Sequence, residues 1–238
     1  MRSYTDAMSA SGAPPANGTF SESASVANRP VAVQQRMALA AALRSVDPDA
    51  PTLCEGWRAA DLALHIVVRD SRPDLMVGQQ LPGWKHRAQS AMDRLASRGY
   101  DYLVDRVKAG PPPLFPQRWA PVDNLVNTAE FYIHGQDVLR AQGGDDAGEG
   151  QASARQNVPA QHVSEQLQRA LWGTGVKLFF PLAARSQGRR ITFLSPRVGA
   201  VTRGRTDQQP MLVTGEPQEL LLWASGREDH ADVEIAYR

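Results

Sequence analysis

A glutamate and a histidine, Glu130 and His134, stand four residues apart in a segment whose apolar residues recur at helical spacing. Positions i and i+4 of an α-helix lie on the same face, one turn apart. Val126 and Ile133 share that face, so it should point inward and bury the carboxylate and the imidazole. Buried charge is costly without a partner, and a divalent metal ion is one such partner.

A third candidate ligand lies earlier in the chain. His65 follows Leu62 by three residues and directly precedes Ile66, so the pattern predicts an inward-facing histidine on another helix. Two histidines and one glutamate form a known catalytic zinc set, with three protein ligands and one open position. The spacing alone fits a buried ion-pair network without metal better than a metal site. The ligand set would also accept nickel, cobalt or iron.

Two charged residues near these positions could support chemistry. Asp137, three residues after His134, could accept a hydrogen bond from a metal ligand or could be an ordinary polar residue near a helix end. Arg69, one turn beyond His65, could bind a substrate or cofactor carboxylate. A surface ion pair between Arg69 and Asp70 is the simpler interpretation.

Other residues have more ordinary interpretations. Trp57 and Trp84 could line a pocket at the mouth of a bundle, although core packing is the commoner role. Cys54 has no basic residue near it in sequence, so we expect a small buried hydrophobic residue. The arginine-rich stretch 185–205 could bind an anionic partner, but charged strand edges and solvated loops explain it more simply.

The elements that must position these residues fall into two groups. Long helical patterns dominate the first half, which predicts an antiparallel bundle of the kind that builds metal sites from inward side chains. Shorter helices and strands follow, which predicts a small α+β domain. The predicted helices cover 29–46, 58–72, 85–107 with an irregularity at Gly99, 122–141, 159–183 and 216–224. The predicted strands cover 190–194, 200–203, 210–214 and 233–236.

Composition sets the expected boundaries. Residues 1–27 are rich in Ser, Ala and Gly and lack the pattern of a signal peptide, so we expect a disordered tail. The helical bundle is expected over 28–142, a glycine-rich linker over 143–158 and the α+β domain over 159–238.

Charge and hydropathy exclude some functions. The formal net charge of +1 gives no general basic footprint for nucleic acid and no strong attraction to an anionic membrane. No apolar run approaches the roughly 18 residues of a spanning helix. A single cysteine permits no internal disulfide, so a cytoplasmic location fits best. We expect a monomer or homodimer.

Four segments of the chain together resemble a known family. They read TLCEGW at 52–57, DLALH at 61–65, EFYIHGQD at 130–137 and VTGEPQELLLWASGR at 213–227. This set resembles the actinobacterial mycothiol-dependent maleylpyruvate isomerase family, and within it a branch of metal-binding proteins of unassigned activity. The resemblance implies a DinB-like four-helix bundle followed by a small α/β domain. It also implies zinc ligands at His65, Glu130 and His134.

The resemblance implies mycothiol as a cofactor and an electrophilic small molecule as substrate. A thiol in the open zinc position would be deprotonated and become a nucleophile at neutral pH. Addition and elimination would give an isomerase, and addition alone an S-transferase. We assign Trp57 and Arg69 to cofactor binding, and Arg69 and Asp137 to catalysis. Gly135 stands where many members have a second histidine, so any acid–base role of that histidine is absent.

Two other functions fit the same residues. A metal-binding protein without turnover, such as a sensor or accessory factor, would have a closed or crowded metal site. A tailoring enzyme for a secondary metabolite could use the scaffold without a thiol, with the metal as a Lewis acid or with a vestigial site.

Overall fold

The computed structural model describes residues 29–81, 83–111, 121–142 and 163–237. Contacts between Cα atoms group the described residues from Val31 onward into one compact unit. The predicted tail over 1–27 and the predicted linker over 143–158 lie outside the described residues. Both therefore stay predictions, as do the domain boundaries drawn from them.

Helices build the first half of the described chain. They are α1 (Val31–Arg44), α2 (Ala59–Ser71), α3 (Pro73–Gln80), α4 (Lys85–Ala96), α5 (Tyr100–Ala109) and α6 (Pro121–Ala141). Four of them, α1, α2, α5 and α6, pack around one apolar core, and α3 with α4 forms a hairpin beside α2. No helix in the described ranges is both long and apolar enough to cross a membrane.

The core of the bundle consists of side chains that recur at helical spacing on the four packed helices. Fully buried aliphatic residues from each helix meet one aromatic ring from α6. The central members are Leu39, Leu43, Leu62, Ile66, Leu103, Val107, Phe131 and Val138. Burial of this many large apolar side chains, about 1.5–3 kcal/mol each, fixes how α2 faces α6.

Two elements of this first half differ from the sequence prediction. The single helix predicted over 85–107 is two helices, because Gly99 adopts φ +92 and caps the start of α5. That left-handed conformation is accessible to glycine but ends a right-handed helix. The helix α3 was not predicted: Pro73 lies in its first turn, where a missing N–H costs nothing.

The second half of the described chain is a small sheet with helices on one side. Its elements are α7 (Glu165–Thr174), a π-helical turn (Gly175–Phe179), α8 (Phe180–Ser186), β1 (Arg190–Ser195), β2 (Gly199–Arg203), β3 (Pro210–Gly215), α9 (Pro217–Ala224), a 3₁₀ turn (Glu228–His230) and β4 (Val233–Tyr237). All four strands lie within one residue of their predicted bounds.

The strands form one mixed sheet in the order β2-β1-β3-β4. The pair β1 and β3 is parallel, and the two outer pairs are antiparallel. Phe193, at the centre of β1, stacks on Phe180 with ring centroids 4.0 Å apart and meets the edge of Trp223 at 5.9 Å. This aromatic cluster attaches α8 and α9 to one face of the sheet.

Helix α6 joins the bundle to the sheet. Its Ala129, Tyr132 and Ile133 pack against apolar residues of α7 and α9. Near its end, Arg140 makes a bidentate ion pair with Glu219 of α9, with N–O distances of 2.7 and 2.9 Å. One face of α6 therefore belongs to the bundle core and another to the interface with the C-terminal elements.

The Arg140–Glu219 pair allows a test of this interface. Glu219→Gln removes the negative charge that neutralises the Arg140 guanidinium, whose side chain is only 18% exposed. Because this leaves a largely buried positive charge unpaired, we expect the free energy of unfolding to fall by about 2–4 kcal/mol. Urea unfolding would measure it. The matched control is Glu165→Gln, which breaks an ion pair with Arg169 whose side chains are 77% and 74% exposed, and should cost under about 0.5 kcal/mol. Equal losses would contradict the role of the interface pair.

Candidate metal centre

The apolar core that α2 and α6 share brings the three predicted ligands together. Oε1 of Glu130 lies 3.7 Å from Nε2 of His65 and 3.4 Å from Nε2 of His134. One potential ligand atom from each residue lies within 4.8 Å of the others. Donors on a tetrahedral zinc ion with bonds of about 2.0–2.2 Å stand roughly 3.3–3.6 Å apart. The distances of 3.7 and 3.4 Å fit that requirement with only small side-chain adjustment.

The surroundings favour an ionised Glu130 and a protonated His134. Burial opposes ionisation of Glu130, but His134, His65 and Arg69 outweigh it and hold the pKa of the carboxyl well below its usual range. Burial likewise opposes protonation of His134, but Asp137, Cys54 and Glu130 outweigh it and raise the pKa of the imidazole to about 11. A metal ion that binds at Nε2 of His134 must therefore displace a proton.

Asp137 orients His134 from the side away from Glu130. Its Oδ2 lies 2.9 Å from Nδ1 of His134, and the Asp137 side chain has no exposed surface. A proton held on Nδ1 by a carboxylate leaves Nε2 free to face Glu130 and His65, which is the arrangement that metal-binding histidines require. Of the two interpretations of Asp137 from sequence, the geometry favours the partner of a ligand.

An arginine from the C-terminal elements completes this network. Arg227, which follows α9, donates from Nε to Oδ1 of Asp137 at 2.8 Å and from Nη2 to Oδ2 at 2.6 Å. Burial opposes ionisation of Asp137, but His134 and Arg227 together lower the pKa of its carboxyl. Sequence reasoning assigned no role to Arg227, because it lies 90 residues from Asp137 in the chain.

Cys54 belongs to the same network, so its interpretation as a small hydrophobic residue was incomplete. Its Sγ donates to Oδ2 of Asp137 at 3.2 Å and lies 3.8 Å from Nδ1 of His134. Cys54, His134 and Asp137 form a second group whose potential metal-ligand atoms all lie within 4.8 Å of one another. Nη2 of Arg227 is 3.6 Å from the sulfur, so a guanidinium already compensates the carboxylate and disfavours a second cation there.

Arg69 lies beside the other charged ligand. Its Nε is 3.6 Å from Oε1 of Glu130, and its Nη2 donates to Oδ1 of Asn127 at 2.7 Å. Nη1 is 3.6 Å from Asp70, which in turn pairs with the buried Arg36. Arg69 is therefore part of a network that reaches the metal-ligand group, and not only one half of a surface ion pair.

The two tryptophans are not core residues. Trp57 is 36% exposed, and its ring centroid lies 5.0 Å from that of His65, so it forms part of the rim of the ligand group. Trp84 is 59% exposed at the start of α4. Core packing was therefore the wrong expectation for both, and only Trp57 contacts a predicted ligand.

Comparison with known proteins identifies the fold. Neither a protein-family model nor a curated relative matches the sequence. The crystal structure of the mycothiol-dependent maleylpyruvate isomerase superposes with a TM-score of 0.52, and that of a histidine-to-alanine mutant with a TM-score of 0.50. In both, 16% of aligned residues are identical, over 87% of this chain and 90% of the other. The protein therefore shares the fold of this isomerase, and its activity must be argued from its own site.

Proposed function

We propose that this protein is a divalent-metal-dependent enzyme, with zinc as the expected metal. It activates a low-molecular-weight thiol, with mycothiol as the first candidate, for isomerisation of or S-transfer to an electrophilic small molecule. The observation that carries the proposal is the convergence of His65, Glu130 and His134 at distances that suit one metal ion. The shared fold of a mycothiol-dependent isomerase supports the choice of thiol.

The exposure of the ligand group favours an enzyme over a closed metal-binding site. The side chains of His65, Glu130 and His134 are 21%, 26% and 13% exposed. Each ligand can therefore be reached from solvent, although His134 is also held by the buried Asp137. A small molecule could approach the group without unfolding either helix, as an open coordination position requires.

The surrounding residues have separate roles in this proposal. When bound, the metal would deprotonate a thiol and make it nucleophilic at neutral pH. Asp137 keeps the proton of His134 on Nδ1, and Arg227 keeps Asp137 ionised. The exposed ring of Trp57 offers an apolar face to the thiol cofactor, and the Arg69 guanidinium offers positive charge to an anionic group of the substrate.

The metal site can be tested by metal content. We expect protein purified without added metal to hold close to one zinc per chain by mass spectrometry. His134→Ala should lose it, because two remaining protein ligands bind zinc far more weakly. His86→Ala is the control, since this exposed histidine on α4 contacts Ser90 and lies outside the ligand group. Wild-type protein that is folded and active without metal would contradict the proposal.

The role of Asp137 predicts a different effect. Asp137→Asn keeps all three ligands but weakens the hold on His134, so we expect zinc affinity to fall about 10–100-fold in a competition assay with a chelator. Asp70→Asn is the matched control, because the Asp70 side chain is only 9% exposed and is also paired with arginine, but it contacts no histidine. If both variants lost affinity equally, orientation of His134 by Asp137 would be wrong.

Thiol binding can be tested on cobalt-substituted protein. We expect mycothiol to produce a sulfur-to-cobalt charge-transfer absorption. We expect Trp57→Ala to raise the midpoint of the mycothiol titration about 2–10-fold, because sugar contacts on an aromatic face are lost. Cobalt content should not change in that variant, and Trp57→Phe should retain most of the affinity. A loaded protein with no thiol signal would remove mycothiol from the proposal while leaving the metal site standing.

A further inference from the structure

Three large apolar side chains project into solvent from the hairpin of α3 and α4. Val77 is 60% exposed, Leu81 47% and Trp84 59%. Val77 and Leu81 stand one helical turn apart, and the backbone N–H of Trp84 donates to the carbonyl of Leu81 at 3.1 Å. We name these three residues the apolar ridge. Contiguous exposed apolar side chains of this kind mark interaction surfaces.

The packing of the hairpin holds the apolar ridge outward. Leu75 and Gly78 are the buried residues of α3, and Leu75 packs with Ala88 and with Val68 of α2. A Cβ atom at Gly78 would lie 3.3 Å from Cβ of Ala88, so α3 and α4 approach each other closely on this side. Trp84 borders this contact, since its Cβ lies 4.0 Å from the same position, and the side chains of the apolar ridge extend from the edge of the hairpin into solvent.

Basic residues predominate beside the apolar ridge, although Asp93 lines the same pocket as Lys85 and His86. Lys85 and Arg87 are exposed at the start of α4, together with His86. No acidic residue occurs between Met76 and Met92, so two basic and no acidic residues give this segment a formal charge of +2. The nearest preceding acid, Asp74, is paired with Arg72 at 2.8 Å. The net charge of +1 for the whole chain conceals this local excess.

We propose that the apolar ridge, with Lys85 and Arg87, binds the surface of an anionic lipid bilayer. Tryptophan and aliphatic side chains enter the interfacial layer of a membrane, and adjacent basic residues pair with anionic headgroups. The ridge protrudes, which suits insertion into a fluid surface. A second copy in symmetric contact would bring Lys85 and Arg87 close to their own counterparts, and like charges at an interface are unfavourable. The binding would be peripheral and independent of the metal centre.

Vesicle binding tests the charge requirement. Full-length protein at low ionic strength should co-sediment with vesicles of equal parts phosphatidylcholine and phosphatidylglycerol, but not with pure phosphatidylcholine. The double variant Lys85→Glu/Arg87→Glu should bind at least about 20-fold more weakly, since each basic residue contributes about fivefold. The control Lys177→Glu/Arg185→Glu makes the same change in net charge at exposed positions elsewhere and should bind like the wild type.

Fluorescence tests the insertion of the apolar ridge. Brominated lipids in anionic vesicles should quench part of the tryptophan emission of the wild type. That quenching should be absent in Trp84→Phe, because Trp84 is the tryptophan expected to enter the bilayer. Leu81→Ser should weaken vesicle binding, whereas Leu182→Ser, at a side chain 62% exposed on α8, should not. Absence of binding to anionic vesicles would overturn the proposal. The proposal would also be overturned if the protein bound no vesicles but self-associated in sedimentation, and Leu81→Ser abolished that self-association. The apolar ridge would then be a contact surface for a second copy of the chain.

Discussion

The carboxylate of Asp137 has no exposed surface, and a charge buried in this way must be neutralised by its neighbours. Three parts of the chain supply those neighbours: His134 on the same helix, Cys54 in the loop before α2, and Arg227 after α9. Leu53 also donates its backbone N–H to the carbonyl of Asp137 at 3.0 Å. One buried charge thus ties the loop, the bundle and the C-terminal elements together at the candidate metal centre.

The need to neutralise buried charge also explains a row of alternating positive and negative side chains across the bundle. Arg36 pairs with Asp70, Asp70 lies near Arg69, and Arg69 lies near Glu130. Beyond Glu130 the sequence of contacts continues through His134 and Asp137 to Arg227. In the absence of metal, the proton on His134 balances the two carboxylates beside it. Metal binding would replace that proton with a larger charge at nearly the same place, so the surrounding arginines would temper the affinity as well as support the geometry.

Local spacing explains which parts of this arrangement could be predicted. His65, Glu130 and His134 each lie on a long helix with a regular apolar face, so periodicity alone predicted that they point inward. Arg227 and Cys54 reach Asp137 from 90 and 83 residues away, and no spacing rule links them. The helix α3 is only eight residues long, too short to show a period, and the break at Gly99 depends on a backbone angle that composition does not reveal. Leu81 and Trp84 flank the turn between α3 and α4, so helical periodicity does not predict that they are exposed.

Gly135 shows how the shared fold and the individual site diverge. In the family that the sequence resembles, many members carry a second histidine directly after the ligand histidine, whereas this chain carries glycine. Gly135 is buried, and a Cβ atom there would meet the backbone of Leu39 on α1 at 3.9 Å. A side chain at this position would thus begin at the contact between α6 and α1. That separation is an ordinary van der Waals contact. Glycine adds no side-chain group beside His134 at this position, so any chemistry at the ligand group has to come from the residues that surround it: Glu130, Asp137, Cys54 and, at the rim, Trp57 and Arg69.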